Sequence, residues 1–414
     1  MRIQIITAGT TGSVAPYTGL GHRLLAEGHE VELVVHAKFA ASAGCCGLRT
    51  RSMAADPFEA LMDVHNRLRD EGRSPGALLR FARAMREAAV SLADEILSAA
   101  DPKADLILLS SIAAPVGRVV ARYHGVASMG VFLQPDAPTA AFSPCLMALR
   151  APSRFNRRRG MAVNAGLDVL SAGVYRHLGR KLGLSGLGGR RMRLEREREQ
   201  WPIWHGFSPS VVARPKDWRP GLEVAGYWWP HECPAWEPPA RLRDFLSSGP
   251  PPVFVGFGSM MPGDPERLAG LTERALRMAG LRGVVQSGWA GLTADGDDVI
   301  TVGSVPHHWL MPQTAAVVHH AGAGTTAAGL RAGVPAVPVP VFTDQPWWAA
   351  HLVRMGAAPA ALPYRDLTAE RLAVALRRAT GDSAFARRSA ALARRLAQED
   401  GAGTVARAVD EAGV

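Results

Sequence analysis

Cysteine and lysine are scarce in this 414-residue chain, and long apolar runs are missing from it. The four cysteines (Cys45, Cys46, Cys145 and Cys233) form no CxxC pair and no metal-ligand spacing. They read as free thiols of a reducing compartment, with the adjacent Cys45-Cys46 pair as small-residue packing. No DxD-type acidic cluster and no His/Cys constellation offers a metal site, so none is expected. No stretch approaches the roughly 20 apolar residues of a membrane span. The amino terminus, MRIQIITAGTTGS, has too short an apolar run for a signal peptide. These absences point to a cytoplasmic protein.

What is present is ordinary in bulk and uneven in charge. Apolar residues make up 47% and charged residues 20%, as in a soluble globular chain long enough for two cores. The net charge of +10 is concentrated. Between Arg150 and Arg198 stand thirteen Arg and Lys against three acids, Asp168, Glu195 and Glu197. The first reading is a solvated helical face. The second is attraction to an anionic acceptor, or peripheral contact with a membrane surface. Without a stacking-aromatic platform or reader motif, no nucleic-acid partner is expected.

Taken in order, the chain alternates strand and helix. Ile3–Ala8 is a buried strand with one polar member, Gln4. Gly9 to Ser13 reads as a turn, and Pro16 suits the first turn of a helix Tyr17–Ala26. Glu30–His36 is the next strand. A strand near Leu48, a helix from Gly76 to about Ala99, a strand Asp105–Leu109, a helix Ala113–Tyr123 and a strand Val126–Leu133 follow. This alternation implies a parallel sheet with helices on both faces. Gln134-Pro135-Asp136-Ala137-Pro138-Thr139 leaves a strand end as a loop. Phe142 to Leu194 is helical with Arg-rich turns. His231–Pro252, rich in Pro and Trp, reads as an interdomain linker. A second α/β series opens at Val253, and Ala369–Val414 is helical.

The most informative stretch runs from Ala315 to Ala350, AAVVHHAGAGTTAAGLRAGVPAVPVPVFTDQPWWAA. A buried strand Ala315–His319 leads into His320 and a glycine-rich turn. A helix Thr325–Ala332, a strand Ala336–Val341 and a loop with Asp344 and Gln345 follow. Open α/β sheets bind ligands at the carboxyl ends of their strands. Gly322 and Gly324 allow close backbone approach, and the helix amino terminus favours an anion.

This stretch, with Val305-Pro306-His307-His308-Trp309-Leu310 and the amino-terminal loop, resembles the nucleotide-sugar-binding segment of the GT-B family 1 glycosyltransferases. It looks closest to the bacterial antibiotic and sterol branch, and the likeness extends over most of the chain. It implies an α/β fold of two Rossmann-like doubly wound domains facing across a cleft. Residues 1–230 would bind the acceptor, 231–252 would be the linker, and 253–385 would bind the nucleotide sugar. A carboxyl-terminal helix, 386–414, would cross back to the first domain. The implied reaction is metal-independent, inverting transfer of a hexose or deoxyhexose from a UDP- or dTDP-sugar. The acceptor would be a hydroxyl of a lipophilic small molecule, a natural-product aglycone or sterol-like lipid. The nucleotide sugar is a co-substrate, and no cofactor is expected. A GT-B phosphorylase would need a Schiff-base lysine in the second domain, whereas all four lysines precede Val253.

The resemblance also assigns roles. His320 looks like the histidine that donates to a diphosphate oxygen as the nucleotide leaves. His319, one residue earlier, points to the opposite face and is structural. Ser259, Gly322, Gly324 and Thr325 would add phosphate contacts; Thr10, Thr11 and Ser13 could bind phosphate or position an acceptor, and Gly12 stands with Thr10 and Thr11 among the donor-binding residues. Val305 and His307 stand where the family holds the base, and Trp309 packs nearby or in the core. Asp344 and Gln345 match the pair that hydrogen-bonds sugar hydroxyls. A helix N-cap is an equally simple reading of Asp344.

One position departs from the pattern. The family commonly has an acid or histidine as general base where this chain has Ser13, and a serine hydroxyl takes no proton usefully without help. Asp136 is the replacement candidate, with His22 and His65 behind it. An acidic acceptor needing little base is a further reading. Ser13 also keeps open a non-catalytic partner protein and a GT-B sugar-nucleotide epimerase.

Overall fold

Short β-branched and leucine-rich runs such as LILL, VFVG and AVVH are suited to strands buried on both faces, as parallel sheets require. The structure, a computed structural model, describes residues 1–54, 75–146, 153–232, 236–258, 264–288 and 291–412. They fall into two units. Unit 1 comprises Met1–Pro144, Arg154–Cys233 and Asp400–Val414; unit 2 comprises Cys145–Ser153 and Pro234–Glu399.

Unit 1 carries a seven-stranded sheet: β1 (Arg2–Ile6), β2 (Glu30–His36), β3 (Arg49–Met53), β4 (Leu106–Leu109), β5 (Ala127–Phe132), β6 (Ile203–His205) and β7 (Leu222–Val224). Its order is β3-β2-β1-β4-β5-β6-β7, parallel throughout. Chain direction across the sheet reverses between β1 and β4, where Ile3 pairs with Val31 on one side and Leu106 on the other. The one polar residue of β1 is fully used. Gln4 Nε2 donates to Glu32 Oε2 at 2.7 Å and Ala99 O at 3.0 Å, and its Oε1 accepts from Asp101 N at 3.0 Å. A buried amide is tolerated because each partner is supplied. The alternate residues of these strands form the core on the other face, where Ile3, Leu33, Leu108 and Val131 pack together; truncating a leucine such as Leu33 to Ala costs about 2–5 kcal/mol.

Unit 2 carries β8 (Val253–Gly256), β9 (Gly283–Gln286), β10 (Val299–Val302), β11 (Ala316–His319) and β12 (Ala336–Pro338). The order is β10-β9-β8-β11-β12, again all parallel. Both units are doubly wound α/β layers, as the alternation of strand and helix predicts.

Three expected segments differ in the structure. The first helix begins at Thr11, not Tyr17, so Ser13 lies in its opening turn and Pro16 inside it. The stretch 231–252 contains a helix, Ala240–Ser247, whose Leu242 and Phe245 are buried; the Arg282 guanidinium stacks 4.0 Å from the Phe245 ring. The region 386–414 is two helices, Ser383–Leu396 and Gly401–Ala412. Only the second belongs to unit 1, where Val405, Ala406 and Val409 join Leu20 and Leu24 in the core. Gly401 permits this seating, since a Cβ there would lie 2.3 Å from the carbonyl carbon of Gly226.

The cysteines also differ from expectation. Cys46 and Cys145 are buried and outside any disulfide, whereas Cys45 is disulfide-bonded. Pairing depends on which segments the fold brings together. Here the Cys46 Sγ lies 3.6 Å from the His231 carbonyl oxygen, 185 residues away. Among the described residues no helix is long and apolar enough to cross a membrane.

Candidate functional site

In unit 2 the strands β8, β11 and β12 are parallel neighbours, with His319 opposite Gly256 and Pro338, so their carboxyl ends open along one edge. His319 is buried, and its Nδ1 accepts from the Ala321 amide at 3.0 Å. That bond holds the turn, in keeping with a structural residue, and sets the ring proton on Nε2. Ala321 sits at φ +62°, a left-handed conformation that costs a non-glycine residue energy and persists where the surroundings impose it.

His320 follows, and two glycines make room for its ring. A Cβ on Gly258 would lie 3.4 Å from His320 Cε1, and one on Gly322 only 2.5 Å from Nε2. Its Nδ1 is buried without a partner among the described residues. Burial, with His307 adding, pushes His320 down to about 4. Burial likewise holds His307 at about 4 and His319 at about 3. At neutral pH all three are uncharged imidazoles, each offering one N–H and one lone pair.

Gly322 is the N-cap of the helix Ala323–Ala332, and no side chain caps it. The helix therefore starts inside the AGAG run, placing Gly324 and Thr325 in its first turn. The first amides of a helix lack intrahelical acceptors and carry the positive end of its dipole. Thr326, which with His320 and Thr325 flanks the glycine-rich turn in the sequence, is buried beside them with its Oγ1 unpartnered among the described residues.

Val305 is buried, and His307 opens the short helix His307–Leu310 with its ring 5.6 Å from that of Phe254 on β8. Trp309 packs on Trp236, ring centroids 5.3 Å apart. Ser259 lies outside the described residues, as does His65.

The loop after β12 carries the acid–amide pair, both buried. Asp344 precedes the helix Gln345–Arg354 but its side chain does not cap it. Thr343, at φ +55°, donates instead to Asp344 Oδ1 at 3.0 Å. Gln345 Oε1 accepts from Val341 N at 2.8 Å and Phe342 N at 3.2 Å. Its carbonyl oxygen thus folds the loop, a use that the sequence did not suggest.

In unit 1, Thr10 is the N-cap of the first helix without a side-chain bond, and Thr11 and Gly12 are exposed. Ser13 is braced where Thr7 Oγ1 donates to its carbonyl at 2.9 Å. Asp136 lies four residues past β5, half-buried. Tyr17 ties the two regions together: its OH donates to Val131 O at 2.7 Å. Burial pushes the Tyr17 phenol above its usual range, and the Asp136 charge adds to the effect. The loop around Asp136 is anchored by Asp217, which accepts from Thr139 Oγ1 at 2.5 Å and Ala140 N at 2.9 Å. That anchor comes from 77 residues away and is invisible in the local sequence. His22 stacks on His231 at 3.6 Å and lies nine residues beyond Ser13, roughly 14 Å down the helix. Asp136 is thus within electrostatic reach of Tyr17, which stands one helical turn after Ser13.

Similarity to known proteins agrees with this architecture. Residues 287–411 match the family described as Erythromycin biosynthesis protein CIII-like, C-terminal domain. The O-mycaminosyltylonolide 6-deoxyallosyltransferase of Streptomyces fradiae is 34% identical over 411 residues, covering 97% of this chain and 95% of that protein. The chain belongs to the GT-B family 1 glycosyltransferases. A sterol 3-beta-glucosyltransferase of Arabidopsis thaliana is 30% identical over 422 residues, 97% of this chain. The chain spans 64% of the length of that plant relative. The glycotransferase of kitacinnamycin superposes with a TM-score of 0.71 at 20% identity, covering 99% of this chain and 98% of the other, a likeness of GT-B fold.

Proposed function

We propose that this glycosyltransferase moves a hexose or deoxyhexose from a UDP- or dTDP-sugar to a hydroxyl of a lipophilic small molecule, with inversion. One observation carries the reading: a neutral, half-buried His320 beside an uncapped helix amino terminus. An imidazole N–H and free helix amides suit a diphosphate, whose charge grows as the nucleotide leaves. The printed activities of the relatives, deoxyallosyl transfer and sterol glucosylation, support the sugar and acceptor classes.

In this reading His320 donates to a diphosphate oxygen. The amides around Gly322, Gly324 and Thr325, the Thr326 hydroxyl and Ser259 complete the cradle. Val305 and His307 hold the base. The Asp344 carboxylate accepts from sugar hydroxyls, and the Gln345 amide group donates to them while its oxygen keeps the loop. Asp136 takes the acceptor proton, and Ser13 positions the acceptor hydroxyl. A single displacement at the anomeric carbon needs one base and no enzyme nucleophile.

A thermal-shift series with UDP- and dTDP-sugars tests the donor half, since a ligand of the folded state raises the apparent melting temperature. No shift with any of them refutes it. Asp136→Asn tests the other half. It is expected to lower turnover by about 10²- to 10⁴-fold with donor binding intact, and near-parental turnover rejects Asp136 as the base. Transfer by the purified chain alone distinguishes an enzyme from a partner protein.

A further inference from the structure

The helix Asn156–Leu170 of unit 1 turns its apolar side outward. Met161, Val169 and Leu170 are 58%, 75% and 73% exposed, and Ala162 and Ala165 beside them are exposed too. Arg158, Met161, Ala162, Ala165 and Val169 follow the three-and-four spacing of a single helix face. The packed side is a different one. Asn156 and Gly160 are buried, and a Cβ on Gly160 would lie 2.9 Å from the Pro138 Cβ. Surface helices of globular proteins ordinarily bury the apolar face and expose the polar one.

The charge along this stretch of chain is mostly of one sign, with Arg157 facing Asp217 and Lys181 paired with Asp94. From Arg154 to Lys181 there are seven Arg and Lys and a single acid, Asp168. Asp168 is already neutralised by Arg193, Nη2 to Oδ2 at 2.8 Å. At the head of the helix the guanidinium carbons of Arg154 and Arg158 stand 4.9 and 5.9 Å from the ring centre of Phe155, which is 42% exposed. Outward apolar side chains, an exposed aromatic ring and uncompensated arginines match a lipid surface that carries negative headgroups. A symmetric contact with a second copy would instead set these arginines against one another.

We propose that this face, with Arg154, Phe155 and Arg158 at its head, docks the chain on an anionic phospholipid surface. Met161, Val169 and Leu170 enter the boundary between headgroups and acyl chains, and the two guanidiniums bind lipid phosphates. A chain held there meets a lipophilic acceptor where such molecules partition. The inference does not depend on how the donor is bound.

The test is sedimentation of the full chain with vesicles of phosphatidylcholine alone and of phosphatidylcholine mixed with phosphatidylglycerol. Binding is expected only to the mixed vesicles and is weakened by added salt. The double variant R154Q/R158Q should lower the partition coefficient by about tenfold or more, and V169N/L170N should abolish binding. All these side chains are exposed, so the thermal unfolding midpoint and the donor-induced shift should stay at parental values in both variants. Equal binding to both vesicle types, or none to either, overturns the proposal. So does self-association in solution that V169N/L170N removes.

Discussion

Replacing Gly322 with alanine tests the placement of His320 without touching its chemistry. Gly322 has φ −66° and ψ 151°, which alanine adopts without strain, so the backbone has no objection to the change. The obstacle is the ring: the added carbon would lie 2.5 Å from His320 Nε2 and 3.1 Å from Cδ2. No real contact is that short, so the imidazole must swing away. Swinging would forfeit the proposed N–H bond to a diphosphate oxygen, about 1.5–3 kcal/mol, or about 10- to 150-fold in kcat/KM. Stability should change little, because exchanging one N-cap residue for Ala costs about 1 kcal/mol or less. The assays are calorimetric titration with UDP and dTDP, and kcat/KM for transfer. His320→Ala supplies the reference. If both changes act through the same ring, the double variant G322A/H320A is no worse than H320A alone. Parental affinity and turnover in G322A, or fully additive losses in the double variant, would refute the assignment of His320.

The remaining predictions concern the loop after β12 and the buried histidines. Gln345→Leu leaves the Val341 and Phe342 amides without their acceptor and should cost about 1–3 kcal/mol per amide. Gln345→Glu keeps an acceptor there, so it should melt near the parent yet lose donor-sugar affinity; if both variants melt like the parent, the clamp is wrong. Burial holds His205 at about 4 and His319 at about 3, below the roughly 6.5 of an unfolded chain. Between those values the unfolded state binds the proton and the folded state does not. The stability these histidines contribute is therefore whole above about pH 6.5 and lost as pH falls toward 4, up to about 3 kcal/mol for His205. Thermal unfolding followed from about pH 7 to 4.5 should show this fall, and a flat profile contradicts it.

Much of the site was legible because its chemistry is local. A strand end, His320, two glycines and a helix start occur within six residues, and the physics of anion binding needs nothing from farther away. Their assembly was less legible. Asp344 reads locally as an N-cap, yet its oxygen accepts from Thr343, whose backbone sits at φ +55°. Gln345 reads locally as a sugar ligand, and tertiary folding uses half of it as a clamp. Thr326 is legible as a residue flanking the turn, but its burial and unpartnered hydroxyl are set by its neighbours and not by its own segment.

By itself, the order of residues determined the alternation of strand and helix, two parallel sheets and an anion-favouring turn. Periodicity, turn chemistry and helix starts act over a few residues, so they can be read along the chain. Only the tertiary structure decided what distant segments do to one another. It extended the first helix to include Ser13, and of the stretch 386–414 expected to return to the first domain it placed only Gly401–Ala412 with unit 1. It placed Cys45 in a disulfide and anchored the Asp136 loop on Asp217. It also turned the apolar side of Asn156–Leu170 outward. Those outcomes depend on which surfaces meet, and packing across 77 to 185 residues of separation leaves no signature in any local stretch.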